Sequence, residues 1–337
     1  MLGALPPVFA GLDPVATQEA AGFLQRATLE PGDVLMGEGE EDYTLAFVDS
    51  GAVQLSVGQV HIGSAGAHHM LGELELFGQM PRVATATASS QVHIAVLEHH
   101  DYIELCNRGN AAAFNLERHA IRRISERMRW LDDGITDRSL GIAYQLPDVK
   151  PRRGGLFSGL FGGPRPPEID AVSVLRASPL FDWADPAVMA ALGPEFEAVE
   201  FRAGQVLCRQ GEMADSMFVL AEGRADVILQ TSPNSAEMIA TLSAGQACGE
   251  ASMPQSSPRS STTVARDDVL AIRLGRAAFD QLMAVDDAVG STFRQGLLRN
   301  MIALLLATQR RFVEIEASGQ PIEDTFRGSP VSTVWRD

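Results

Sequence analysis

Residues 72–85 read GELELFGQMPRVAT, and residues 249–262 read GEASMPQSSPRSST. Gly-Glu opens both stretches and Pro-Arg stands at the same spacing in each, which points to an internal repeat. Downstream, the same offset of 177 residues carries Tyr102 and Leu105 onto Phe279 and Leu282. Upstream the offset is 172. Pro7, Phe9, Asp13 and Pro14 recur as Pro179, Phe181, Asp185 and Pro186, and Gly32, Gly39 and Gly51 recur as Gly204, Gly211 and Gly223. Five extra residues therefore lie between Gly223 and Gly249. The turn-forming run Thr231-Ser232-Pro233-Asn234-Ser235 is where they are expected, as a longer hairpin tip. The chain is a duplicated domain.

At 337 residues there is room for two domains of ordinary size. Each copy is expected to open on a short helix, over residues 14–25 and 186–198, followed by short strands punctuated by glycine. Residues 52–57, Ala-Val-Gln-Leu-Ser-Val, alternate apolar and polar in the manner of half-buried β-structure. Each copy then closes on a long helix. Phe114, Ile121, Ile124, Met128, Leu131 and Ile135 fall at heptad-like spacings in the first. In the second, Leu297, Met301, Leu304 and Ile315 form a stripe flanked by Leu298, Ile302, Leu305 and Phe312. Such stripes pack either on their own domain or as a seam against a second copy of the chain, and the expectation is a homodimer. Residues 151–168, PRRGGLFSGLFGGPRPPE, are too rich in Gly and Pro for a regular element and read as linker. The doubled Gly-Leu-Phe within them suits a few residues tucked onto a neighbouring surface. The expected boundaries are a first domain over 1–135, a linker over 136–170, a second domain over 171–317 and a tail over 318–337.

Both quoted stretches resemble the phosphate-binding cassette of the cyclic-nucleotide-binding family, whose pattern is roughly G-E-(L/I)-(A/G)-L and then P-R-(A/S)-A-T. Residues 31–39 and 203–212 resemble that family's glycine-punctuated early strands. The resemblance covers roughly residues 1–130 and 172–316. It implies a mainly β fold with flanking helices (α+β). Two β-roll domains of double-stranded β-helix type would each carry N-terminal helices and a long closing C-helix. It also implies ligand-binding residues: Gly72, Glu73, Arg82 and Ala84 in the first copy, and Gly249, Glu250, Ser252, Arg259, Ser260 and Ser261 in the second. These residue types suit a cyclic phosphate. A guanidinium offers forked, charge-assisted donors, and glycine lets the backbone approach without a Cβ in the way. Backbone amides at the start of a short helix after Gly72 or Gly249 add oriented donors and a favourable helix dipole. The glutamate has the family's role of accepting from a ribose 2′-hydroxyl.

The two copies are not equivalent. Where the family has Ala or Gly, the second copy has Ser252 and the first has Glu75, an anion where an anion should sit. Glu75 is expected either to repel a phosphate or to pair with Arg82 and occupy it. Val83 after the first arginine argues against cGMP there, whereas Ser260 leaves both purines open in the second. The expected ligand is cAMP, with cGMP admitted, held chiefly by the second domain, with no metal and no catalysis.

The tandem resembles the regulatory subunits of cAMP-dependent protein kinase, so relay through the closing helices to an unidentified effector protein is expected. About twenty residues follow Ile315, too few for a helix-turn-helix. The net charge of −16 is repelled by phosphate backbones and anionic lipid, so neither nucleic acid nor membrane is an expected partner. Cys106, Cys208 and Cys248 are odd in number and widely spaced, which indicates neither a disulfide framework nor a zinc site. The first residues lack a basic leader and are interrupted by Pro6, Pro7 and Pro14, so the chain reads as cytoplasmic. Arg122-Arg123-Ile124-Ser125 matches a basophilic-kinase pattern but falls inside the heptad helix, and is read as coincidence. Two rivals remain. One is a ligand-free interaction scaffold. The other is a cupin-type metalloenzyme using His68, His69 and Glu73, disfavoured because the second copy has no histidine.

Overall fold

The structure, a computed structural model, describes residues 5–138, 169–232 and 235–318. The linker stretch 151–168 and all but the first residue of the 318–337 tail lie outside the described residues. The chain packs as two units. One holds the residues up to Arg123 together with the stretch from Gln309, and the other runs Ile124–Thr308.

In the first copy, α1 (Pro14–Gly22) leads into β1 (Gln25–Leu29), β2 (Val34–Met36), β3 (Leu45–Ser50), β4 (Val53–Val57), β5 (Val60–Ala65) and β6 (Met70–Leu71). The short helix α2 (Glu73–Gly78) follows, then β7 (Thr85–Ala88), β8 (Val92–Leu97), α3 (His99–Asn107) and α4 (Ala111–Arg138). The strands form two antiparallel sheets, β1-β8-β3-β6 and β2-β7-β4-β5. Val48 and Ile94 from one and Val53 and Ala86 from the other share a single core. Each fully buried aliphatic side chain of this kind contributes about 1.5–3 kcal/mol.

The second copy repeats the plan. It runs α5 (Ala171–Ala177), α6 (Pro186–Leu192), β9 (Glu197–Phe201), β10 (Val206–Cys208), β11 (Ser216–Glu222), β12 (Ala225–Ser232) and β13 (Ser235–Leu242). β14 (Ala247–Cys248), β15 (Thr262–Ala265), β16 (Val269–Gly275), α7 (Arg276–Ala284) and α8 (Ala288–Ser318) complete it. Its sheets, β9-β16-β11-β14 and β10-β15-β12-β13, enclose Phe218, Leu220, Ala225 and Val269. The α+β architecture of two β-rolls with flanking helices is thus the one implied by the resemblance.

The repeated residues have structural reasons. Asp13 and Asp185 cap the opening helices, accepting from Val15 N at 2.9 Å and from Ala187 N at 2.7 Å, with proline at the first helical position. Gly51 and Gly223 turn each chain between strands at φ of 92° and 81°. A Cβ there would lie 2.2 Å from Gln91 O and 2.3 Å from Asp268 O, so only glycine fits.

Two expectations need correction. The opening helices stop at Gly22 and Leu192 rather than at 25 and 198: glycine weakens the first, and Gly193-Pro194 turn the second into a 3-10 turn before β9. The five-residue insertion does not enlarge the hairpin tip. β12 and β13 have eight residues each against five and six in β4 and β5, so the extra length goes into the strands. The stripe residues Ile121, Ile124, Met128 and Leu131, and Leu297, Leu298, Met301, Ile302, Leu305 and Phe312, are buried within the chain itself. Phe114 and Leu304 of the same stripes are half-buried, and the homodimer stays a proposal.

Among the described residues, no helix is long and apolar enough to cross a membrane.

Candidate ligand sites

Each cassette is held to its sheet by the backbone of its arginine. Arg82 N donates to Glu40 O at 2.8 Å and Gly39 N donates to Arg82 O at 2.8 Å. Arg259 N donates to Glu212 O at 2.8 Å and Gly211 N to Arg259 O at 3.0 Å. Gly39 and Gly211 make these bonds at φ of 84° and 83°, which is why glycine recurs there. Each cassette opens on a glycine in the left-handed region, Gly72 at φ 92° and Gly249 at φ 85°. A Cβ on either would lie 2.7 Å from Nη1 of the cassette's own arginine. The glycine therefore makes room for the guanidinium as well as for any ligand.

In the first cassette the guanidinium is closed in by side chains. Arg82, 2% exposed, donates from Nη1 to Glu75 Oε2 at 3.2 Å, and from Nη2 to Asp42 Oδ2 at 2.6 Å and to the Thr44 hydroxyl and carbonyl at 2.9 and 3.0 Å. The second oxygen of Glu75 accepts from Val83 N at 3.0 Å. The buried Glu75 carboxylate thus bridges the arginine and the next backbone amide, the two donors that would otherwise face a phosphate. Of the two outcomes expected for Glu75, the structure adopts the pairing with Arg82. Burial works to raise the pKa of Asp42, but the hydrogen bond and charge of Arg82 outweigh it and hold that carboxyl below its usual value. Glu73 is buried beside them and Ala84 is half-buried.

In the second cassette Ser252 replaces the bridging carboxylate. Arg259 Nη1 donates to Gly249 O at 2.5 Å, and Nη2 to Ser216 O at 2.5 Å and to Asp215 Oδ1 at 3.2 Å. Burial tends to raise the Asp215 pKa, yet the Ser216 hydroxyl and the charges of Arg259 and Arg273 pull it below its usual value. Here the turn after Gly249 is a short 3-10 turn, Glu250–Ser252, where the first copy has a helix. Pro254 denies the helix its continuation. Ser252 is buried, its carbonyl accepting from Ser257 N at 3.2 Å, and Ser260 and Ser261 are half-buried.

Glu250 is 1% exposed. Its Oε1 accepts from Asn300 Nδ2 of α8 at 2.7 Å, while Oε2 is buried without a hydrogen-bond partner. Burial raises the pKa of this carboxyl above its usual value. A buried acceptor with no donor is costly and points to a missing partner. Beside Arg259 lies a cavity of about 310 Å³, at the small end for ligand pockets, lined in part by Cys208, Glu212, Asp215 and Phe218. Three arginines on its wall, Arg209, Arg259 and Arg273, face two carboxylates, so the locality is basic in an acidic chain.

The unit that carries this cassette begins at Ile124. From that part of α4, the Ser125 hydroxyl donates to Ala251 O at 2.7 Å and Arg129 Nη2 donates to the Ser257 hydroxyl. Sequence reasoning missed Asp42, Thr44, Asp215, Ser216, Asn300, Ser125 and Arg129. Thr44 and Ser216 carried a signal, since both are hydroxyl residues at the repeat offset of 172. No group of three or more His, Cys, Asp or Glu that could hold a metal occurs among the described residues.

A domain with this roll and this cassette twice over defines a class, and the family comparison gives it a name. The model described as "Cyclic nucleotide-binding domain" matches residues 26–109 and 198–286, and the chain belongs to that family. It is 22% identical over 276 residues to a protein named "cAMP-dependent protein kinase regulatory subunit" from Yarrowia lipolytica, covering 82% of this chain and 58% of that one. A protein of the same name from Debaryomyces hansenii is 24% identical over 281 residues, covering 83% and 50%. The chain thus spans about half the length of these curated relatives. Among solved structures it is similar to the regulatory domain of Toxoplasma gondii PKA with cAMP, at 19% identity and a TM-score of 0.32, covering 83% of this chain and 88% of that one.

Proposed function

We propose that this chain is a non-catalytic cytoplasmic regulator that binds a cyclic mononucleotide, cAMP by preference, through its second cassette, and relays occupancy through its long helices to an effector protein. The observation that carries this reading is the buried Glu250 Oε2 without a partner, close enough to Arg259 to feel its charge, with a basic cavity on the arginine's other neighbours. A ribose 2′-hydroxyl supplies the missing donor, and a cyclic phosphate supplies an acceptor for Arg259 better than a main-chain carbonyl. Relay has two routes. Asn300 ties Glu250 to α8, and Ser125 and Arg129 tie the cassette turn to α4. The relatives' names suggest a protein kinase catalytic subunit as the class of effector.

For the first unit the observations favour the ligand-free reading. Glu75 fills the place of the anion, so this unit serves as a fixed or relaying module.

The test is calorimetry on the full chain with cAMP and cGMP. One nucleotide is expected per chain, with saturation at a hundred times the dissociation constant raising stability by about 2.7 kcal/mol. Arg259→Ala is expected to cost about 2–5 kcal/mol of binding. No heat for either nucleotide at millimolar concentration leaves only the scaffold.

A further inference from the structure

Two core positions beneath the cassettes differ between the copies. In the first they hold Met36, ending β2, and Leu71, immediately before Gly72, and both belong to the apolar core. The repeat offsets of 172 and 177 place Cys208 and Cys248 at the same positions in the second. Both cysteines are buried in one core cluster with Phe218, close enough that each thiol acts on the other's pKa. Cys208 Sγ lies 3.0 Å from where a Cβ on Gly249 would stand, so it sits against the first residue of the cassette. Packing alone asks for neither thiol, since methionine and leucine fill the same places in the other roll.

We propose that Cys208 and Cys248 form a dithiol that hydrogen peroxide oxidises to a disulfide, tying β10 to the residue that precedes Gly249. Cys208 is the attacking sulfur because it lines the cavity beside Arg259, through which a small peroxide reaches it. The Cys248 thiol and the Arg259 charge hold the Cys208 pKa below its usual value. The neighbouring Cys208 thiol and complete burial push Cys248 well above its own, so Cys208 is the one of the pair that meets the peroxide first. Cys106, pushed up to about 11 by burial, is the poorer nucleophile.

In the first step the Cys208 thiolate attacks one peroxide oxygen. The O–O bond breaks, an S–O bond forms, and hydroxide departs to take up the proton that Cys208 gave up. In the second, the Cys248 sulfur attacks the sulfenic sulfur. The S–O bond breaks as the S–S bond forms, and the proton of Cys248 leaves with the displaced hydroxide as water. Two thiols lose two electrons in all, and one peroxide becomes two waters. The reaction does not depend on the nucleotide reading, because it needs only the two thiols and their cavity.

The experiment treats the reduced full chain with a small excess of hydrogen peroxide, without nucleotide. Intact mass and a non-reduced peptide map then give the readout. The expected result is loss of two hydrogens, one linked pair of peptides carrying Cys208 and Cys248, Cys106 still free, and full reversal by a dithiol reductant. Cys208→Ser and Cys248→Ser should each abolish the link, and the unsubstituted protein decides the matter should either fail to fold. A gain of oxygen without a linked peptide, a bridge that includes Cys106, or no change in mass overturns the proposal.

Discussion

Arg82 and Arg259 stand at equivalent points of two copies of one fold, with the same backbone pairing, and their guanidinium groups meet different surroundings. Arg82 faces the carboxylates of Glu75 and Asp42, the first buried with it. Arg259 faces two main-chain carbonyls and an Asp215 whose side chain is mostly exposed. A buried cation needs a counter-charge, and the first copy carries one in its own sequence. The second has only the mostly exposed Asp215, and it also leaves a carboxylate oxygen of Glu250 without a donor. A single residue type, Glu75 against Ser252, thus separates a finished electrostatic unit from an unfinished one.

The largest expected effect separates the copies by stability. Arg82→Ala strands Glu75 in the core without its cation and is expected to cost about 3–5 kcal/mol in denaturant or thermal unfolding. Arg259→Ala leaves unpaired carbonyls and is expected to cost about 1–3 kcal/mol in the absence of nucleotide. Equal losses from the two substitutions break the comparison.

Glu75→Ala tests the other half. A carboxylate about 5 Å from a cyclic phosphate, at an effective dielectric near 20, repels it by roughly 3 kcal/mol, or on the order of a hundredfold in affinity. With Glu75 removed, Arg82 Nη1 and Val83 N are left for an anion. Calorimetry on the full chain is expected to pass from one cAMP to two. In the Arg259→Ala background the same change should restore a single site. A stoichiometry that does not move in either protein means that the carboxylate is not what closes the first cassette.

The smallest effect concerns Glu250. Burial raises its folded-state pKa above the ordinary 4.5, so the native protein holds this proton more tightly than the unfolded chain. The contribution is full below the ordinary value and is lost as pH climbs through the raised one. Glu250→Gln removes that loss and is expected to raise the melting temperature at neutral pH, with little change in acid, while weakening cAMP binding. An unchanged pH profile of stability means that the isolated carboxylate carries no such cost.

The duplication, the roll and the four cassette anchors Gly72, Arg82, Gly249 and Arg259 were legible because glycine, proline and arginine answer to backbone shape and charge at fixed spacing. The Glu75–Arg82 pair was legible for the same reason, since its partners lie seven residues apart. The remaining shell was not. Asp42 reaches Arg82 from 40 residues away and Asp215 reaches Arg259 from 44, and the two aspartates do not share the repeat offset. Asn300 and Ser125 come from long helices whose apolar stripes gave no hint that a polar neighbour on the helix touches a cassette. The stripes themselves left own-domain packing and an outer seam both open, because periodicity reports an apolar face without saying what covers it.

Glu75 also bears on competition. A carboxylate built into the chain never dilutes, and a tethered group of this kind acts at an effective concentration of about millimolar or more. Any free anion must exceed that figure, weighted by its own preference for Arg82, before it can displace the resident one. On the proposed reading the first cassette is therefore deaf to a messenger that circulates well below that figure. If the second cassette answers to concentration as proposed, the first acts as an internal reference, an arm of the molecule whose reading does not change.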